Sequence, residues 1–251
     1  MDYLNYGKQV QQKPQGFGQQ KVQLTKDDFT FGDLNQKTTQ PQEAPQIKDE
    51  LIQLFPTPVL ICSCPFEYGV ELEWINKQPN KNQNKGALNR QSEDTFILDN
   101  PEMSRVREFI EFKLKEFVRN IMGSDSQMII TQSWLNKNKK GESHHDHSHP
   151  NSMISGVWYP QIHEQMPPIE FKIAQQRDVS LSIGEYNHFN SAKYMLPLKM
   201  GELILFPSNL KHSVPENLGD EERISLSFNT WCKGNLGDKK SLTYLPLDRC
   251  V

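Results

Sequence analysis

Four of the seven histidines in this chain fall between positions 144 and 149: His144, His145, His147 and His149, with Asp146 among them. Scattered histidines are ordinarily solvated, but a cluster this dense just ahead of an apolar strand points to metal binding. Residues i and i+2 of an extended backbone project to the same side, so His147 and His149 can reach one ion together. A third ligand must come from elsewhere, and His212, after the turn Phe206-Pro207-Ser208-Asn209, is the candidate. A literal His-x-Asp is also present, at His144 and Asp146. Two histidines and one carboxylate form the facial set that holds divalent iron with positions left open. Two sets therefore compete, His144–Asp146–His212 and His147–His149–His212, and spacing leaves both open. Imidazole suits Fe, Zn, Cu and Ni alike, so the nitrogens do not name the metal.

A second group of residues bears on what such a metal would work with. The run Arg223-Ile224-Ser225-Leu226-Ser227-Phe228-Asn229 alternates strictly, with Ile224, Leu226 and Phe228 on one face and Arg223, Ser225, Ser227 and Asn229 on the other. A half-exposed surface strand has the same pattern. Closeness to His212, and an arginine followed two residues later by a hydroxyl, favour carboxylate binding instead. Arg223 and Ser225 would grip the far carboxylate of a 2-oxo diacid whose 2-oxo acid end chelates the metal. Upstream, Gln132, Trp134 and Asn136 share one face of a strand and offer a polar wall, although a tryptophan there also fits a plain core.

The elements that must position these groups are mainly strands. Strand-like runs at Met128–Asn136, Met153–Tyr159, Ile169–Ala174, Glu202–Phe206 and Arg223–Trp231 follow one another with turns between them and no helix, the signature of a sandwich or barrel. Ahead of them the sequence predicts one clear helix over 101–122. Asn100 stands at its N-cap, Pro101 at its first position and Gly123 as its stop, and Val106, Ile110, Leu114, Phe117 and Ile121 make its apolar stripe. A helix start near Leu51 leading into an edge strand through Cys64, a short helix over Glu71–Ile75 and a polar loop over Gln78–Glu93 complete the ordered part.

With 251 residues there is room for one sizeable domain and a tail. Residues 1–46, rich in Gln, Lys, Gly and Pro, read as a disordered arm, and 47–251 as the folded domain. A net charge of -3 with no Lys/Arg stripe argues against a nucleic-acid partner. No apolar run is long enough to span a membrane, and no secretory leader is evident. Cys62, Cys64, Cys232 and Cys250 are then expected as reduced thiols in a cytoplasmic protein. Oligomeric state is not legible.

Taken together, these residues resemble the 2-oxoglutarate–Fe(II) oxygenases of bacteria and marine phages. The likeness is carried by Ser133-Trp134-Leu135-Asn136, by 144–159 (HHDHSHPNSMISGVWY), by Gly201–Ser208 (GELILFPS), by His212, by 223–229 (RISLSFN) and by Asn235-Leu236-Gly237-Asp238. It extends over about 51–247. The resemblance implies a double-stranded β-helix of the jelly-roll, cupin-like kind with flanking α-helices and iron at one mouth of the barrel. It places the ligands at His147, His149 and His212, makes Asp146 a variable loop position, and assigns Arg223 and Ser225 to 2-oxoglutarate. His149 stands where the wider superfamily has Asp or Glu, so the ligand set is neutral. The cofactors implied are Fe(II) and 2-oxoglutarate, with O2 as co-substrate. The expected reaction hydroxylates a peptide or small molecule and releases succinate and carbon dioxide, in the host cytoplasm if the chain is phage-encoded. A three-histidine cupin-type dioxygenase without 2-oxoglutarate and a jelly-roll module with a structural metal are the competing readings. His144 and His145 would line the entrance or be solvated.

Overall fold

A computed structural model describes residues 22–23, 50–51, 54–82, 89–163, 165–173, 181–184, 186–187 and 189–247. The chain divides into two compact units, Met1–Thr57 and Pro58–Val251. In the first, β1 (Val22–Gln23) pairs antiparallel with β2 (Glu50–Leu51). The remainder of the arm expected over 1–46 lies outside the described residues, as do positions 52–53 and Cys250, and Leu51, expected to start a helix, is instead the strand residue paired with Val22.

The second unit runs β3 (Leu60–Ser63), α1 (Gly69–Asn76), β4 (Asn80–Asn82), β5 (Arg90–Ser92), α2 (Ser104–Asn120), β6 (Met128–Asn138), β7 (His144–His147) and β8 (Ile154–Gln161). It continues through β9 (Ile169–Lys172), β10 (Lys193–Leu196), β11 (Glu202–Pro207), β12 (His212–Val214) and β13 (Arg223–Cys232). Two antiparallel sheets result, one ordered β3-β11-β8-β13-β6-β5-β4 and the other β10-β9-β12-β7. The unit is a double-stranded β-helix, mainly β, with helices on the outside of the larger sheet.

Sequence periodicity explains the layers. Ile224, Leu226 and Phe228 of β13 join Leu203 and Leu205 of β11, Trp158 of β8, and Val106, Ile110, Leu114 and Phe117 of α2 in one buried cluster. Val157, Tyr159, Ile204 and Phe206 of the larger sheet meet Ile169, Phe171 and Leu196 of the smaller one in a second cluster between the sheets. Strands β8 and β11 are thus covered on both faces, which is why they read as near-continuous apolar runs.

Local expectations need three corrections. The helix begins with a 3-10 turn at Pro101–Met103, and the Asn100 side chain bonds Asp94 and the Ile97 carbonyl instead of capping α2. Ile121 is 41% exposed, its place in the stripe taken by Phe109 and Val118, while Gly123 stops the helix at φ +64°. The polar stretch expected as a loop over 78–93 contains β4 and β5, which extend the larger sheet. Cys62 and Cys64 do share a face, packed against the helical cluster.

One position in the first cluster tolerates no side chain. Gly156 of β8 lies opposite Phe228 of β13, and a Cβ there would sit 2.1 Å from the Phe228 ring. Gly156→Ala is expected to destabilise the domain by about 3 kcal/mol through overpacking, roughly 6–12 °C in melting temperature. Adding Phe228→Leu should restore most of that loss. Thermal melts of both variants check it, and an unchanged melting temperature in the single variant would show that the ring moves aside freely.

Candidate metal centre and co-substrate cavity

The histidine cluster is built by two short strands of the smaller sheet. Strand β7 pairs with β12 so that His147 lies opposite His212. Just beyond β7, the His149 backbone N–H donates to the Ser208 carbonyl at 2.9 Å, and this fixes the chain as it turns toward β8. The donor atoms of His147, His149 and His212 all lie within 4.8 Å of one another. Asp146 is directed elsewhere, into an ion pair with Lys172 on the exposed side of the sheet, which holds its carboxyl below the usual range. Of the two sets that spacing left open, the one containing His147 and His149 is brought together. The one containing Asp146 is not.

The ring nitrogens are oriented for coordination. His147 Nδ1 donates to the His145 carbonyl at 2.8 Å, and His212 Nδ1 donates to the Leu210 carbonyl at 2.9 Å. Both bonds fix the tautomer with Nε2 as the lone-pair atom. His149 Nε2 and His212 Nε2 stand 3.3 Å apart, within the ~3.0–3.4 Å that two imidazoles on one ion would show at metal–nitrogen bonds of about 2.1 Å. Burial, reinforced by neighbouring imidazoles, pushes His149 down to about 3 and His212 down to about 4, and lowers His147 as well. Neutral imidazoles are what a metal requires.

This has a consequence for stability. In the unfolded chain these histidines regain ordinary values near 6.5, so as pH falls below that point the unfolded state takes up protons first. Stability is therefore full above about pH 6.5 and declines toward about 4, where His212 begins to protonate in the folded state. At pH 5 His212 alone would account for a loss of about 2 kcal/mol. Melts of the metal-free protein in EDTA between pH 7 and 5 should show the decline, and a flat profile would mean the imidazoles are solvated.

The larger sheet supplies the other wall. In the β13–β6 register Arg223 faces Asn138, Ser225 faces Asn136 and Ser227 faces Trp134, and residues directly opposite one another share a face. These pairs and the three histidines line a single cavity, into which Tyr159 also points. The polar face of β13 is thus buried, not solvent-facing, with Arg223 only 1% exposed. Arg223 Nη1 donates to Ser225 Oγ at 3.4 Å, and its guanidinium lies 5.2 Å from the Tyr159 ring centre. Among the described residues no carboxylate pairs with Arg223 and no acidic side chain lines the cavity. Asn138 Nδ2 is buried there without a hydrogen-bond partner, and the guanidinium has the Tyr159 phenol beside it in place of an anion. A buried cation with no counter-charge is expensive to hold, so this end of the cavity fits a carboxylate from outside. Asn136 is engaged already, receiving from Asn89 and donating to Ser227, each at 3.0 Å.

Residues 132–229 match the model of the family described as "Putative 2OG-Fe(II) oxygenase". Over that segment the chain is similar to 2OG-Fe(II) oxygenases. The matched segment begins at Gln132 on β6 and ends at Asn229 on β13, so it encloses every residue of the cavity named above. HygX from Streptomyces hygroscopicus, solved with nickel, 2-oxoglutarate and hygromycin B bound, is similar in fold, with a TM-score of 0.52 at 10% identity over 69% of this chain and 82% of that one. The non-heme alpha ketoglutarate dependent epimerase SnoN from nogalamycin biosynthesis gives 0.51 at 11% identity over 69% and 78%. The carbocyclase SnoK of the same biosynthesis gives 0.51 at 9% identity over 76% and 87%. No curated protein sequence matches the chain. The cavity also holds Asn138 and Tyr159, which sequence reasoning missed, while His144, expected at the entrance, lines it as well.

Proposed function

We propose that the β-helix domain is an Fe(II)- and 2-oxoglutarate-dependent hydroxylase, with His147, His149 and His212 as metal ligands and Arg223 and Ser225 holding the far carboxylate of 2-oxoglutarate. The observation that carries this reading is Arg223. It is a fully buried guanidinium, without a carboxylate partner among the described residues, in the same cavity as three neutral imidazoles. The bound metal and co-substrate supply the oxidising power: 2-oxoglutarate and O2 give succinate and carbon dioxide, and one oxygen atom enters a C–H bond of the substrate. The chain's own part is to orient and to exclude water. The His147 and His212 rings are locked by backbone carbonyls, Ser225 steadies the guanidinium, and the apolar cluster between the sheets dries the cavity from behind. The substrate is a peptide or small molecule entering past the histidine rim, where Trp134 tilts against His149 with ring centres 5.8 Å apart.

The neutral ligand set favours a second reading, a three-histidine dioxygenase that works without 2-oxoglutarate. Succinate formation from 2-oxoglutarate by the metal-free protein reconstituted with Fe(II) separates the two. The proposed function requires succinate. Iron-dependent oxygen uptake without succinate would establish the second reading.

A further inference from the structure

The triad accounts for three of the five histidines that crowd this end of the fold, and His144 and His145 remain. Their rings are not dispersed. His144 stacks on His147 with centres 4.4 Å apart, His145 meets His144 edge-on at 5.2 Å, and His145 stands 5.3 Å from His147. The donor atoms of these three residues also lie within 4.8 Å of one another. Among the described residues neither the His144 ring nor the His145 ring has a hydrogen-bond partner. His145 is exposed, while His144 reaches into the cavity. The imidazoles thus form a continuous path from solvent, through His145, to His149 and His212.

We infer that His144, His145 and His147 form a second metal site, overlapping the triad and exclusive with it because the two sites share His147. The exclusivity follows from the tautomer. His147 Nδ1 is committed to the His145 carbonyl, which leaves one lone pair, at Nε2, and that lone pair can serve one ion at a time. The outer set consists of imidazoles alone and opens to solvent, so it suits borderline divalent ions such as Zn(II), Co(II) and Ni(II). An ion held there withdraws a ligand from the triad. Zinc, which binds nitrogen sites more tightly than ferrous iron, would therefore oppose iron loading from this position. The inference rests on the reading of the triad only for the sharing of His147.

Titration of the metal-free, full-length protein with Co(II), followed by its visible absorption, tests this. The wild type is expected to take up one equivalent. His149→Ala should still take up one equivalent through the outer set, and His145→Ala/His149→Ala should bind at least tenfold more weakly than His149→Ala. His145→Ala alone should keep the wild-type affinity. Equal binding by His149→Ala and the double variant would overturn the outer site, and two equivalents in the wild type would overturn its exclusivity with the triad. Loss of binding in His145→Ala with retention in His149→Ala would instead overturn the triad, so the two failures are distinguishable. Should His149→Ala fold poorly by circular dichroism, His212→Ala breaks the triad equally well and takes its place, with the same comparison.

Discussion

Arg223→Met is expected to abolish 2-oxoglutarate-dependent succinate formation while making the ligand-free protein more stable. Both effects come from one fact: the guanidinium is buried with no carboxylate to balance it among the described residues. Burial disfavours the charged form and lowers its pKa, with only the Tyr159 phenol working in the opposite direction. In the ligand-free fold the charge is a liability. Replacing a buried ionic group with an apolar side chain of similar size commonly stabilises by about 1–4 kcal/mol, which is several degrees in melting temperature. With a dicarboxylate bound the same charge becomes the anchor. Removing one partner of a buried, hydrogen-bonded charge pair costs about 3–5 kcal/mol, so the KM for 2-oxoglutarate should rise at least about a hundredfold. Ligand linkage offers a check free of turnover. At a concentration 100 times its dissociation constant, 2-oxoglutarate should stabilise the wild type by about 2.7 kcal/mol, and it should leave the variant unmoved. Wild-type KM in Arg223→Met, or a lower melting temperature without ligand, would remove the argument for a carboxylate site.

How much of this was legible in the sequence depends on whether a residue's role is set by its own strand or by its neighbours. The alternation of Arg223–Asn229 is a property of one strand, and it is borne out by the packing of Ile224, Leu226 and Phe228 in the cluster with α2 and by the register of Arg223, Ser225 and Ser227 against β6. What the alternation could not say is that its polar face is enclosed, because enclosure is made by the smaller sheet. Two of that sheet's four strands, β7 and β12, are three or four residues long and composed largely of His, Asp and Ser, so propensity marks them as loop. Their strand geometry is imposed by pairing, and that pairing sets His147 against His212. Asn138 was within reach. Continuing the face of Gln132, Trp134 and Asn136 by two more residues arrives at it. Tyr159 was not, since β8 is buried on both faces and its apolar run conceals which side chains turn to the cavity. The choice between Asp146 and His149 likewise turned on Lys172 of β9, a residue that no local pattern connects with the histidines.

The other large effect concerns the metal, and it separates ligand from bystander. His212→Ala is expected to copurify without iron and to bind Fe(II) at least about a hundredfold more weakly, since losing a ligand exceeds the 10–100-fold typical of losing a ligand's hydrogen-bond partner. Succinate formation should fall to background. His212 is 4% exposed and wedged edge-on against Phe206, ring centres 5.0 Å apart, so an alanine there also opens a void and lowers stability. His212→Gln, which fills most of the volume but ligates iron poorly, controls for that: it should keep the wild-type melting temperature more closely and still lose iron. His149→Asp moves the site the other way. It adds one negative charge beside a divalent ion whose ligands are otherwise neutral, and a carboxylate favours hard iron over softer competitors. Fe(II) affinity should therefore rise relative to Zn(II), even though aspartate is shorter than histidine and the Trp134 contact is lost. Metal analysis after dialysis against an Fe(II)/Zn(II) mixture reads both variants in one experiment. Iron retained in full by His212→Ala would exclude the triad as the iron site. The remaining imidazole group, His144, His145 and His147, would then be the place to look.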